Sequence, residues 1–160
     1  MNLSFTALPW ESKVFKTFKE YGVDPYIFSE SPLAWNYHDL GVRPSTFEED
    51  AGLRDFWNVT TISYINATTP FVATIEAKDF PFFASQFHPE MVSQNYKDNY
   101  GVNHSWKSLQ ANRQFGRLFI EYARENTHSF GSFEDVQKNE ISNFHHFLTS
   151  TSWGDVYVFE

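Results

Sequence analysis

The sequence predicts an α/β domain in which helices flank a central sheet. Two observations carry this prediction. The first is that apolar residues recur at helical spacing in two stretches, one near the start of the chain and a longer one in its second half. The second is that the runs between these stretches are rich in β-branched and aromatic residues, as strands are. A chain of 160 residues is long enough for one domain with its own core. All of residues 1–160 are therefore predicted to belong to a single domain.

The first helix is predicted in the stretch LPWESKVFKTFKEYG. Its apolar residues recur at helical spacing at Trp10, Val14, Phe15 and Phe18, and Gly22 stands where a helix would end. This pattern is typical of a helix with one buried face.

The segment between this helix and the first strand is predicted to be mostly irregular. Residues 23–44 contain three prolines and little periodicity. The next stretch, STFEEDAGLRDF, is predicted to form one short helix with Ser45 or Thr46 as its N-cap. Its acidic residues fall in the first turn and Arg54 falls near the end, which suits the helix dipole.

Three strand-like runs follow. FWNVTTISYI and FVATIEAK have the composition of β-strands, and NATTP between them is typical of a turn, so the two runs are predicted to form a hairpin. The third run, PFFASQF, is short and apolar on both faces, which predicts a buried central strand.

The longest predicted helix lies in SWKSLQANRQFGRLFIEYAREN. It begins after a Ser105 cap, and its apolar residues recur at three- and four-residue steps. Trp106, Phe115 and Phe119 belong to this predicted apolar stripe. The last run, DVYVFE, is predicted to be a terminal strand.

The composition excludes several classes of protein. A net charge of −8 argues against a nucleic-acid partner, because phosphate binding needs clustered Lys and Arg. No apolar run approaches the roughly 20 residues that span a bilayer, so no membrane span is predicted. The chain has no cysteine, which excludes disulfides, cysteine–zinc sites and a thiol nucleophile within these residues.

Four N-x-S/T sequons favour the secretory pathway. They begin at Asn2, Asn58, Asn66 and Asn103, and these asparagines are the glycosylation candidates. The first residues of the chain do not have the basic and apolar regions of a signal peptide. A start of the natural chain upstream of Met1 would reconcile the two observations.

The sequence FPFFASQFHPEM contains the strongest candidate for catalysis. Pro89 biases His88 towards an extended backbone, so the imidazole is predicted to emerge at the end of the preceding strand. Glu90, two residues later, can accept a hydrogen bond from a ring nitrogen, as the acidic member of a nucleophile–His–acid triad does. The alternative is a surface turn in which both side chains are only solvated.

Other kinds of site have weaker support. His145 and His146 are adjacent and lack the spacing of a metal-binding motif, so no metal site is predicted. The chain has neither a Gly-rich phosphate loop nor a G-x-S-x-G motif for a serine nucleophile.

The segment around His88 resembles the γ-glutamyl hydrolase family of class I glutamine amidotransferase-like hydrolases. The resemblance is carried by FVATIEAKDFPFFASQFHPE, and it continues through FWNVTTIS, ANRQFGRLFIEYAREN and VYVFE in the same order, with NLSFT and AWNYHDL before them. It implies the C-terminal part of a flavodoxin-like, three-layer α/β domain with a central sheet and flanking helices.

The resemblance also implies roles for individual residues. His88 matches the family's catalytic general base, and Glu90 matches its supporting acidic partner. His38, in WNYH, matches a histidine on the substrate side of the cleft, and Asn36 beside it is a weaker candidate for orienting that loop. Neither a cofactor nor a metal is implied.

The family's nucleophile is a cysteine, and this chain departs from the family because it has none. Residues 1–160 are therefore expected to be the C-terminal portion of one γ-glutamyl hydrolase-like domain, and to be inactive alone. A truncated gene product, a front half supplied by a separate chain, and a degenerate paralogue all remain open. A homodimer is also left open.

The implied activity is hydrolysis of γ-glutamyl bonds in folyl-poly-γ-glutamates or γ-glutamyl peptides through a Cys-His-Glu acyl-enzyme mechanism. The implied location is lysosomal, vacuolar or extracellular, in agreement with the sequons. The alternatives are another class I glutamine amidotransferase, or a non-catalytic secreted glycoprotein that retains part of the fold.

Overall fold

The computed structural model describes residues 1–148 and 155–159, and the chain divides into two compact units, residues 1–125 and 126–160. The prediction of a single domain stays a prediction, and each unit is described by itself. The helices of the first unit are α1 (Lys13–Glu20), α2 (Ile27–Glu30), α3 (Pro44–Glu49), α4 (Ala51–Phe56), α5 (Met91–Gln94) and α6 (Trp106–Glu125), with 3₁₀ turns at Pro9–Glu11 and Asp98–Tyr100. Its strands are β1 (Ser4–Phe5), β2 (Trp57–Asn66), β3 (Thr69–Ala77) and β4 (Phe83–Ser85).

The four strands of the first unit form one antiparallel sheet in the order β1-β2-β3-β4. The predicted hairpin is confirmed as β2 and β3, which pair along their length with Ile62 opposite Val72. The Asn66 side chain closes the turn by accepting a hydrogen bond of 3.0 Å from the Thr68 amide, as an Asx-turn does. Because helices and a sheet share this unit, the predicted α/β class is confirmed.

The core of the first unit is built largely from aromatic rings. Phe115 of α6 has its ring centroid 5.1 to 6.0 Å from those of four other phenylalanines, which come from α1, α2 and the segment after β4. Those four rings belong to Phe15, Phe18, Phe28 and Phe87, which are all buried. All four contacts join residues distant in sequence, so this cluster ties α6 to the rest of the unit.

The first predicted helix is confirmed as α1. Ser12 caps it, because its hydroxyl accepts hydrogen bonds from the amides of the first turn. Gly22 follows the end of the helix with φ +74°, a left-handed conformation that favours glycine. Trp10 lies outside α1 in the preceding 3₁₀ turn and is 49% exposed, so the buried stripe is shorter than predicted.

The prediction of one short helix after residue 44 is wrong, because α3 and α4 are separate. Pro44 is the first residue of α3, where its fixed φ suits a helix start, so neither Ser45 nor Thr46 is the N-cap. Asp50 has an extended backbone between the two helices and caps α4 by accepting from the Leu53 amide at 2.9 Å.

The long helix α6 confirms the prediction for this stretch, including its cap. The Ser105 hydroxyl accepts a hydrogen bond of 3.3 Å from the Ser108 amide at the helix start. Phe115 and Leu118 are buried as predicted, but Trp106 is 71% exposed and Phe119 is 62% exposed. No helix in the described ranges is long and apolar enough to cross a membrane.

The prediction of a buried central strand before His88 is wrong within the described residues. There β4 has three residues, pairs only with β3 and is partly exposed. The pairing with β3 begins only at the Phe82 carbonyl, which accepts from the Ala77 amide at 2.9 Å, so the run adds only a short strand to the sheet. Phe80 and Phe82 are about half exposed and stack on each other and on Phe56, so they cover a surface turn.

The second unit contains a helix and a hairpin. Its described elements are α7 (Phe133–Asn139), a 3₁₀ turn at Ile141–Asn143, and the strands β5 (His145–Leu148) and β6 (Asp155–Val158). The predicted terminal strand is confirmed as β6, which pairs antiparallel with β5. The sequence analysis predicted neither α7 nor β5.

Candidate active site

His88 stands immediately after the sheet, in a segment held on both sides of its backbone. The Gln86 amide extends the pairing with β3 by donating to the Ala73 carbonyl at 2.8 Å. Phe87 is buried in the aromatic core, and the His88 amide donates to the Trp35 carbonyl at 2.9 Å. These contacts fix the backbone from which the His88 side chain projects.

The imidazole of His88 contacts the carboxylate of Glu90. Nδ1 of His88 lies 2.8 Å from Oε1 of Glu90, and the two side chains are 32% and 47% exposed. Because a carboxylate oxygen only accepts, this contact requires a proton on Nδ1, which in the neutral imidazole leaves Nε2 with the lone pair that a general base uses. The two residues are thus arranged as the His–acid part of a triad, and their catalytic roles stay predictions.

Three aromatic residues form a cluster beside His88, and one of them, Trp35, contacts the His88 ring. The Trp35 and His88 ring centroids are 5.7 Å apart at 61°, an edge-on contact. Trp35 also stacks on Tyr37 at 5.5 Å and 8°, and Tyr100 meets both rings edge-on. The Trp35 indole is therefore the ring that contacts His88, and Tyr37 and Tyr100 pack against that indole.

His38 lies in the same loop as Trp35, held by its own neighbours. Its Nδ1 is 2.8 Å from the Leu40 carbonyl oxygen, and its Nε2 is 2.9 Å from Oδ1 of Asn36. The Asn36 amide nitrogen donates to the Ala34 carbonyl at 3.1 Å, which turns its oxygen towards His38. Within the described part of the chain, His38 makes no hydrogen bond to the His88–Glu90 pair, so its substrate role stays a prediction.

A cleft of about 640 Å³ opens beside Glu90. It is lined mainly by apolar side chains of the segment before His88 and of α6, including Phe83 and Phe119. Asn112 also lines it. That residue is 1% exposed, and its Oδ1 has no hydrogen-bond partner among the described residues. A buried amide oxygen without a donor is costly, and this one has no accessible surface through which a molecule in the cleft could reach it.

The sequence analysis missed a buried carboxylate, which lies on β3 against the start of α1. Glu76 of β3 is 4% exposed, and its Oε2 accepts from the Ser12 hydroxyl at 2.7 Å and from the Val14 amide at 3.2 Å. The pKa of Tyr122 is raised, first by burial and then by the negative charges of Glu76 and Glu125. The Glu76 carboxylate stabilises the start of α1, and it makes no hydrogen bond to His88 in the described part of the chain.

The remaining predicted site residues are spread over the surface. Asn2, Asn58 and Asn66 are exposed and Asn103 is half-buried, and glycosylation of all four stays a prediction. Among the residues that the structure describes, no group of three His, Asp or Glu side chains could hold a metal ion.

Trp35 and Tyr100 are the parts of the site that sequence reasoning missed. Trp35 lies far from His88 in the chain and Tyr100 follows it after a polar loop, and no local pattern joins either residue to His88. The one available signal was Trp35 itself, a tryptophan two residues before the Tyr37-His38 pair in the segment AWNYHDL.

Comparison with known proteins identifies sequences that are similar to this chain. Residues 11–107 match the family model described as glutamine amidotransferase class-I. The chain is 26% identical over 159 residues to gamma-glutamyl hydrolase B of Dictyostelium discoideum, covering 98% of this chain and 45% of that protein. It is 26% identical over 162 residues to the gamma-glutamyl hydrolase of Homo sapiens, covering 100% of this chain and 50% of that protein.

A plant relative is similar over a shorter range. The probable gamma-glutamyl hydrolase 3 of Arabidopsis thaliana is 26% identical over 138 residues, covering 79% of this chain and 39% of that protein. The chain thus spans about half or less of the length of the curated relatives it matches.

Proposed function

The chain belongs to the class I glutamine amidotransferase family, and from this premise we propose that it supplies the His–Glu arm of a hydrolase that cleaves γ-glutamyl bonds. The single observation that carries the proposal is the 2.8 Å contact between His88 Nδ1 and Glu90 Oε1, in the segment that resembles the family's catalytic motif. The names of the relatives support the γ-glutamyl bond as the one cleaved. The proposed substrates are folyl-poly-γ-glutamates or γ-glutamyl peptides.

The nucleophile of this reaction is proposed to be a cysteine thiol outside these 160 residues, since the chain contains no cysteine. The polypeptide that bears the thiol is proposed to occupy the cleft beside Glu90. Two features support this occupant: the apolar lining of the cleft and the edge strand β4. An extended segment offers both backbone N–H groups and apolar side chains.

The chemistry follows from the orientation of His88. Nε2 of His88 takes the thiol proton, and the thiolate sulfur attacks the γ-carbonyl carbon to form a tetrahedral oxyanion. Collapse of this intermediate breaks the C–N bond, while His88 gives the proton to the leaving amine. Nε2 then takes a proton from water, the hydroxide cleaves the thioester, and the proton returns to the thiolate as the γ-glutamyl acid leaves. Glu90 stabilises the imidazolium in each half of the cycle.

The proposal is tested by purifying the chain, with any polypeptide bound to it, from the cells that produce it. The preparation is assayed on a γ-glutamyl peptide and on a folyl-poly-γ-glutamate. His88→Ala is expected to lower kcat by roughly 10³-fold or more, since loss of the base also removes the activated thiolate. His128→Ala, at an exposed position in the second unit, is the matched control and is expected to retain full activity.

Two outcomes would overturn the proposal. Undiminished hydrolysis by His88→Ala would remove this residue from the reaction. An active preparation that contains no thiol-bearing polypeptide, or that resists a thiol-alkylating reagent, would exclude the proposed nucleophile.

A non-catalytic role is the second candidate, favoured by the absence of cysteine from the chain. In that case the chain is a glycoprotein that retains part of the fold. For either role the proposed location is lysosomal, vacuolar or extracellular, supported by the exposed sequons at Asn2, Asn58 and Asn66. Absence of any bound thiol-bearing polypeptide together with absence of hydrolysis is the result that the non-catalytic role predicts.

A further inference from the structure

Trp35 touches His88 through both its backbone and its side chain. The Trp35 carbonyl accepts the His88 amide at 2.9 Å, and the indole lies edge-on to the imidazole with centroids 5.7 Å apart. Few residues can restrain both the position of a side chain's backbone and the rotation of its ring. Trp35 makes both contacts from a loop that is remote from His88 in sequence.

The indole is itself held in place. Its Nε1–H donates to the Tyr100 carbonyl at 2.8 Å, and its ring stacks on Tyr37 at 5.5 Å and 8°. A hydrogen bond at one edge and a ring on one face leave the indole little freedom to rotate. An indole that is held in this way can restrict the rotation of the His88 imidazole that packs against it.

The Glu90 contact alone does not provide this restraint. The Glu90 side chain is 47% exposed and the His88 side chain is 32% exposed, so water competes for their hydrogen bond. Both residues also lie on one short turn, where their side chains can move together. The imidazole therefore needs a second restraint for Nε2 to keep a constant direction.

We propose that Trp35 is a positioning residue, which holds the His88 imidazole with Nδ1 towards Glu90 and Nε2 free for proton transfer. This role rests on the proposed function of His88 and adds a residue to it. A misplacement of about 1 Å at a reacting group can cost roughly 100-fold in rate, so an indole held in this way affects catalysis without touching the substrate.

The first test uses NMR on the 160-residue chain and needs no activity. Wild-type protein is expected to give nuclear Overhauser effects between the Trp35 indole and the His88 ring, a ring-current shift of the His88 ring protons, and ¹⁵N shifts of the Nδ1–H tautomer. Trp35→Ala is expected to lose the ring-current shift and to move the tautomer ratio towards Nε2–H. Trp35→Phe keeps a ring against His88 and is expected to restore most of both signals.

Trp106→Ala is the matched control, because Trp106 is 71% exposed and no part of the site. It should leave the His88 signals unchanged. Absence of the indole–imidazole Overhauser effects in the wild type would overturn the proposal even if Trp35→Ala fails to fold. An unchanged tautomer ratio in folded Trp35→Ala would overturn it as well.

The second test uses the active preparation described for the proposed function. Trp35→Ala is expected to lower kcat by roughly 10- to 100-fold with little change in KM, because positioning acts on the chemical step. A change confined to KM would contradict positioning. If the NMR signals behave as expected but the wild type does not hydrolyse γ-glutamyl bonds, the proposed function fails while the contact between Trp35 and His88 stands.

Discussion

The carboxylate of Glu76 accepts a hydrogen bond of 2.7 Å from the Ser12 hydroxyl, joining the middle of the sheet to the start of α1. Ser12 is also the N-cap, since its oxygen accepts from the Val14 and Phe15 amides at 3.2 Å. A second acceptor for the Val14 amide is Glu76 itself. One buried cluster therefore combines a helix cap, a charge favourable to the helix dipole and a contact between strand and helix.

Ser12→Ala is expected to destabilise the protein by about 1–3 kcal/mol, because it removes the cap and a hydrogen bond to a buried carboxylate. Urea unfolding followed by circular dichroism measures the change. Ser45→Ala, at an exposed position of α3, is the control and should change stability by less than about 0.5 kcal/mol. Equal effects of the two substitutions would show that the Glu76 contact is of no energetic importance.

Phe115→Ala is expected to cost about 3–5 kcal/mol, because the ring is 4% exposed and contacts four other phenylalanines. The same unfolding measurement applies. Phe119, four residues later on α6, is 62% exposed and provides a matched Phe→Ala control. A loss from Phe119→Ala as large as that from Phe115→Ala would contradict the assigned core.

The elements with strong local signals could be predicted from the sequence. The hairpin of β2 and β3 follows from β-branched residues on each side of a turn, and α6 follows from a long 3.6-residue pattern with a Ser105 cap. The split between α3 and α4 was missed because the extended backbone at Asp50 interrupts a continuous helical pattern. Capping chemistry decided the boundary there, rather than periodicity.

The edge position of β4 could not be read from its composition. An apolar run predicts burial, but the ring of Phe82 at its start stacks on Phe56 at the surface, together with the ring of Phe80 just before it. Whether a phenylalanine packs in the core or in a surface cluster depends on its tertiary neighbours, which composition does not reveal.

In the candidate site, too, the local contact could be predicted and the long-range contact could not. His88 and Glu90 are two residues apart, and Pro89 restricts the backbone between them, so their contact was predictable. Trp35 reaches His88 only because the loop after α2 crosses the end of the sheet. No spacing rule describes such a contact, which depends on the path of the whole chain.

Alkaline pH is expected to destabilise the fold through Tyr122. Burial, together with the charges of Glu76 and Glu125, raises its pKa above the ordinary value of 10.0. Below pH 10 both the folded and unfolded states hold the phenolic proton, so the full stability is present. Between the unfolded and folded pKa values only the unfolded state releases the proton, so stability falls as pH rises through this window.

Tyr122→Phe should remove this part of the alkaline decline, seen as a shallower fall in the free energy of unfolding above pH 10. The exposed Tyr64 of β2 provides the control, since Tyr64→Phe should leave the decline as it is. If Tyr122→Phe and wild type lose stability in parallel above pH 10, Tyr122 is not the group responsible.

Among the four sequons, Asn66 is expected to carry glycan at the highest occupancy. It lies exposed at the tip of the β2–β3 hairpin, and its Oδ1 already faces the Thr68 hydroxyl at 3.1 Å, which aligns the two residues of the sequon. Asn103 is half-buried, and the Asn2 side-chain amide is engaged with the Ser29 carbonyl at 2.7 Å, so both are poorer acceptors. Mass spectrometry of protein expressed through a eukaryotic secretory pathway, before and after enzymatic deglycosylation, measures the occupancy of each site. Thr68→Ala should abolish the glycan at Asn66, whereas Thr68→Ser keeps both the sequon and the hydroxyl and should retain it. Higher occupancy at Asn103 than at Asn66 would show that exposure in the folded chain does not govern which sites are used.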